Sequence, residues 1–179
     1  MMRLITIIAL ITTTFVISSC EKVDELTQFD IDYSTSFTIP GSTGLDVPFD
    51  LRTPEVETNS QQEFSGQDTK EDLVEEIVLE EMNLSIQSPS DGDFSFLNGL
   101  TIYISADGME GTKLAWKDSI PDSVGNTLQL ETSPEDMKEY IFKDHFQLRV
   151  KSKTDEVIDQ DHEIDVNSVF HVDAEILGQ

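Results

Sequence analysis

Residues 162–176 read HEIDVNSVFHVDAEI, and Ile164, Val166, Phe170, Val172, Ala174 and Ile176 fall on one phase of a two-residue period. Successive side chains of a strand point to opposite faces, so this phase faces a core and Asp165 and His171 face water. Adjacent Ser168 and Val169 break the alternation and predict a bulge.

The same period recurs along the chain. Phe29, Ile31, Tyr33, Phe37 and Ile39 alternate with Asp30, Asp32, Ser34, Ser36 and Thr38 until Pro40-Gly41 ends the run. Leu45, Val47, Phe49 and Leu51 form a second face, and Pro48, which has no N–H to donate, places that strand at a sheet edge or beside a bulge. Val78, Met82, Leu84 and Ile86 follow, closed by the turn SPSDGD. Leu100, Ile102 and Ile104 then alternate with Thr101, Tyr103 and Ser105, and Asp107-Gly108 marks a turn. Leu114 with Trp116 and Leu128 with Leu130 give short strands, and Phe146, Leu148 and Val150 alternate with Gln147, Arg149 and Lys151.

Helical signals are few. Residues 52–70 read as a loop; Thr69 caps one or two turns carrying Leu73, Val74 and Ile77; Ser133, Pro134 and Asp136 open a second short helix with Met137, Tyr140 and Ile141 on one side. About eight short strands with one-sided alternation predict an all-β antiparallel β-sandwich, immunoglobulin-like or jelly-roll, with one or two short connecting helices.

Ahead of this domain stands MMRLITIIALITTTFVISSC: one base at Arg3, an apolar run too short to span a bilayer, then small residues before a cysteine. Ile17, Ser18, Ser19 and Cys20 resemble the lipobox of bacterial lipoproteins, with isoleucine where leucine is commonest. The resemblance implies cleavage between Ser19 and Cys20, a diacylglycerol on Cys20, further acylation such as palmitate, and anchoring in the outer membrane with a periplasmic or surface-exposed domain. The expected organisation is a signal peptide at 1–19, a lipidated acidic tether at 20–28, and the sandwich at 29–179. Cys20 is the sole cysteine, so stability rests on packing.

Thirty-six acids against 11 lysines and arginines give a formal charge of −25. Such a field excludes nucleic acid as a partner and favours cations or a basic protein. Catalytic groups are not marked. No serine sits in a G-x-S-x-G elbow, His145 and His171 fall on outward phases, and His162 falls at a strand rim. A glycosidase pair would need a general acid in an apolar pocket, and nothing singles one out. Asp91 and Asp93 in one turn and Asp107 and Glu110 in another offer oxygen ligands for calcium, although Asp-Gly turns also form without an ion. Asp159, Asp161, Glu163 and Asp165 read as a solubilising ladder. Trp116 shares a phase with Leu114 and reads as core; Tyr103 faces outward and is the candidate ligand contact. The expectation is a non-catalytic binding or assembly module of the envelope; the alternative is a calcium- or glycan-binding accessory protein.

Overall fold

The structure is a computed structural model that describes residues 28–41, 48–154 and 156–175. The lipobox with Ser19 and Cys20, most of the tether, Leu45, Val47 and Ile176 lie outside the described residues.

Among the described residues, ten strands form two antiparallel sheets. The first sheet has the order β1 (Gln28–Ile39), β10 (His162–Ala174), β4 (Val74–Ser88), β7 (Thr127–Gln129). The second has β2 (Pro48–Arg52), β9 (His145–Thr154), β5 (Leu97–Ala106), β6 (Thr112–Lys117), β8 (Glu131–Thr132), and the two-residue β3 (Val56–Glu57) also pairs with β9. The pairing is nested: β5 with β6 innermost, then β4 with β7, β2 with β9, and β1 with β10 outermost. Successive pairs alternate between the sheets, which is a long folded ribbon rolled into a jelly roll. The strand order thus decides between the two sandwiches.

The alternation of β10 continues through Ser168, which is buried, while Val169 turns partly outward. Ser168 holds the inward phase because its hydroxyl donates to the Tyr33 carbonyl at 3.2 Å. The irregularity expected there lies in the neighbour: Val169 pairs with Glu81 and Phe170 with Leu79, leaving Glu80 as an extra residue in β4. That bulge flips the phase of β4. Ile77 and Leu79 are buried before it and Met82, Leu84 and Ile86 after it, so Val78, expected inward, is half-buried on the outer side. Pro48 lies on the edge strand, as its missing donor requires. Leu128 and Leu130 are both buried, but the chain changes sheets between them: β7 pairs with β4 and β8 with β6.

The helical expectations shift. Thr69 donates to the Glu175 carbonyl instead of capping, the turn after it is a single 3-10 turn at Glu71–Leu73, and Val74 and Ile77 belong to β4. A helix forms where a loop is expected: α1 (Ser60–Gly66) inserts fully buried Phe64 against Phe29 and Phe142, at ring distances of 6.3 and 5.9 Å. The second helix, α2, is one turn, Lys138–Ile141, rather than two. Asp136 opens no helix at the third position; its Oδ1 accepts the N–H groups of Ile77 (3.1 Å) and Lys138 (3.0 Å), tying the loop to β4. Burial pushes the Asp136 carboxyl up, but those N–H groups and the Lys138 ammonium outweigh it and hold it below the usual range. Met137, Tyr140 and Ile141 are buried as expected, so α1 and α2 together close one end of the core.

At Gly99, beside the β5–β6 pair, an added Cβ would meet the Lys117 and Asp118 carbonyl oxygens at 2.6 and 2.7 Å; at Gly66 it would meet nothing within 4 Å. Backbone cannot yield as a flexible side chain can. Gly99→Ala should therefore lower unfolding free energy by about 1–3 kcal/mol in urea titrations while Gly66→Ala leaves it unchanged or raised. Equal midpoints for the two variants would show that the close approach does not constrain Gly99.

Candidate functional site

Residues directly opposite in an antiparallel ladder share a face, so the register writes out the exposed surface of the second sheet. One row across β6, β5, β9 and β2 is Trp116, Thr101, Lys151 and Asp50. The next is Lys113, Tyr103, Arg149 and Arg52. Three strand spacings make each row roughly 14 Å long.

A second bulge sets this face. Ile102 pairs with Ala115 and Tyr103 with Lys113, which leaves Leu114 as the extra residue in β6. Leu114 and Ala115 both go inward, and the phase then flips. Trp116, expected in the core with Leu114, lies instead on the outer face, with the Lys113 ammonium 3.7 Å from its ring centre. Tyr103 is outward as expected, and the Lys151 ammonium stands 5.1 Å from its ring.

The rows open at one end into a groove of about 560 Å³. Tyr103, Arg52, Arg149 and Lys151 line it, with Lys143 and His145 at the end nearest α2. Four of the eleven lysines and arginines of a strongly acidic chain thus meet in one place, opposed by Glu55, Asp107 and Asp144 on the rim. Arg149 donates to Asp50 through both Nε (2.6 Å) and Nη2. That hydrogen bond holds the Asp50 carboxyl below its usual range and the Arg149 guanidinium above its own. Arg52 donates to Gln147 Oε1 at 3.1 Å, and Gln147 Nε2 donates to the Thr53 carbonyl at 2.7 Å, so the Arg52 head is fixed by a chain of bonds. The cations are arranged before any ligand arrives.

The candidate calcium residues are spread over separate surroundings. Asp93 accepts the Ser95 N–H at 2.9 Å, and bonds from the Ser95 hydroxyl and N–H hold its carboxyl low. Asp91 is exposed beside it; Asp107 lines the groove; the backbone carbonyl of Glu110 accepts the Tyr140 hydroxyl at 2.8 Å. Among the described residues, the His, Asp and Glu side chains that converge in a group of three are Asp30, Glu80 and His171. His145 is exposed on the groove, and His162 is buried at a strand start, 4.6 Å from the Phe96 ring with Nδ1 3.0 Å from the Gln160 carbonyl.

Of the side chains brought together on this face, the sequence alone singled out Tyr103 and not Arg52, Lys113, Arg149 and Lys151. Arg149 and Lys151 stand on the outward phase of one strand, an uncommon sight in so acidic a chain, and that was the available signal.

No family model matches the chain, and no curated protein matches it. Among solved structures it is similar to one concerned with the promiscuous specificity of carbohydrate-binding modules of the β-sandwich superfamily, at 11% identity and a TM-score of 0.27. That match covers 86% of this chain and 58% of the other. It is also similar to Desmodium yellow mottle tymovirus (10% identity, TM-score 0.26, 85% of each chain). Turnip yellow mosaic virus follows at 8% identity and a TM-score of 0.24, covering 84% of this chain and 85% of its own. At these scores the likenesses say nothing about ligand or activity.

Trp116 is the sole tryptophan, and its fluorescence reports this face. Charges within about 10 Å dominate in 0.1 M salt; Glu131 stands directly opposite Trp116 in β8, but the Lys113 ammonium lies over the ring itself, so iodide, an anion, should quench it more than caesium despite the net charge of −25. Lys113→Glu should reverse the order. Stronger quenching by caesium in the unaltered protein would mean that the surrounding acids control the potential here.

Proposed function

We propose that the protein is a lipid-anchored, non-catalytic binding module of the bacterial envelope, and that the cationic face of its second sheet takes an acidic glycan. The observation that carries the ligand is the row Lys113, Tyr103, Arg149, Arg52, with Lys151 over the same tyrosine. A sugar ring packs on an aromatic face, while uronate or sulfate oxygens accept charge-assisted bonds from guanidinium and ammonium groups. The rows have the length of a short oligosaccharide and run across the strands, so successive sugar units meet successive strands. Support for the anchor is the sequence Ile17-Ser18-Ser19-Cys20.

Calorimetric titration of the detergent-purified full chain with an oligogalacturonate should give binding that weakens with added salt, and a neutral oligosaccharide of equal length should give little heat. Tyr103→Ala or Arg52→Ala should each weaken it by about tenfold, near 1.4 kcal/mol. Equal binding of both sugars, or affinities untouched by both substitutions, would refute the glycan reading, and binding of an acidic peptide alone would replace it.

The anchor has its own test. Cells fed an alkyne-bearing palmitate should label the parent chain and leave the Cys20→Ala variant unlabelled. Label that persists in the variant would remove Cys20 as the lipid site.

A further inference from the structure

The outer surface of the first sheet has the opposite character. Outward positions of β1 and β10 carry Asp30, Asp32, Glu163, Asp165 and Asp173; β4 adds Glu75, Glu76, Glu80 and Glu81; no lysine or arginine stands among the outward positions of its four strands. On the middle strand of this surface stands a single histidine. His171 lies directly opposite Asp30 in the β1–β10 ladder, and its Nδ1 is 2.8 Å from Asp30 Oδ1. From the other side comes Glu80, the extra residue of the β4 bulge. A bulge is a device that re-aims a side chain, and here it brings a carboxylate in from the third strand.

We propose that Asp30, Glu80 and His171 form a binding site for a divalent first-row transition metal, for which zinc is the probe. Their ligand atoms lie within 4.8 Å of one another. Bonds of about 2.0–2.1 Å to such a metal set neighbouring ligands roughly 2.9–3.4 Å apart; the Asp30–His171 pair, at 2.8 Å, has to open slightly to admit the ion, and Glu80 has to turn toward the pair. One imidazole with two carboxylates is a nitrogen and oxygen donor set that suits zinc, and the imidazole disfavours calcium, which takes oxygen ligands. The surrounding carboxylates raise the local concentration of cations. The three ligands come from three adjacent strands, β1, β10 and β4. The metal therefore staples the first strand to the sheet.

Zinc chloride titrated into the full chain in detergent should bind once per chain and raise the melting temperature by about 5 °C at a hundredfold excess over its dissociation constant. Calcium chloride should do neither. Asp30, Glu80 and His171 are exposed or partly so, and the substitutions Asp30→Asn, Glu80→Gln and His171→Ala should leave the metal-free melting temperature within a degree or two while weakening zinc at least tenfold. Absence of zinc binding, or zinc binding unmoved by all three substitutions, would overturn the site. Loss of binding in His145→Ala or His162→Ala instead would assign the metal elsewhere.

Discussion

The two sheets are joined through a triangle of aromatic rings. Tyr33 of β1, Phe170 of β10 and Phe146 of β9 meet edge to face, with centres 5.2 Å (Tyr33–Phe146), 5.8 Å (Tyr33–Phe170) and 6.3 Å (Phe146–Phe170) apart. Such pairs contribute about 0.5–1.5 kcal/mol each beyond the area they bury. Their arrangement matters more than the sum. Tyr33 can occupy the core only because its hydroxyl donates to the Thr58 carbonyl at 2.9 Å; burial, with a smaller contribution from the Glu63 charge, pushes the phenol up, so it stays a donor. Ser168 bonds the Tyr33 backbone from β10. The outermost pair of the rolled ribbon, β1 with β10, is thus locked to β9 in the opposite sheet, and that lock fixes the register from which both exposed faces follow.

What the sequence made legible was whatever obeys a strict period of two. The runs at 29–39, 97–106 and 145–154 declare their inner faces, and Pro48 narrows its strand to an edge or a bulge, of which the structure has the edge. Phase is lost where one residue is added without a local mark: nothing in Glu80-Glu81 or Leu114-Ala115 announces a bulge, because a bulge is defined by the partner strand. Each misplaced a side chain, Val78 in one case and Trp116 in the other. Helix α1 stayed hidden for a different reason. A seven-residue helix with one large apolar side chain, Phe64, has no periodicity to detect, and it forms because Phe29 and Phe142, distant in sequence, provide the pocket for that ring.

The candidate groove was illegible as a site because it is a product of topology. Arg52, Tyr103, Lys113 and Arg149 lie on four strands and become neighbours only through the nested pairing. Each alone is an ordinary outward residue. Placed in a row, they make a cationic strip on a chain whose other broad face has no lysine or arginine among its outward strand positions, and the sandwich becomes an electrical dipole across its thickness. A field of that form orients an approaching anion toward the second sheet.

The acidic face is arranged so that its charges seldom oppose one another. Along β1 and β10, Asp32 faces Val169, Ser36 faces Asp165, Thr38 faces Glu163 and Gln28 faces Asp173. Between β10 and β4, Asp165 faces Ser85 and Glu163 faces Ser88, and the direct carboxylate pair is Asp173 with Glu76 near the strand ends. Directly opposed like charges destabilise a ladder, so a sheet this acidic holds together by interleaving neutral partners. Asp30 and Glu80 depart from that pattern by converging instead of avoiding each other, and what stands between them is His171. In a surface otherwise built to separate carboxylates, two that are brought together around an imidazole, one of them by a bulge, mark the position where a cation satisfies the sheet best.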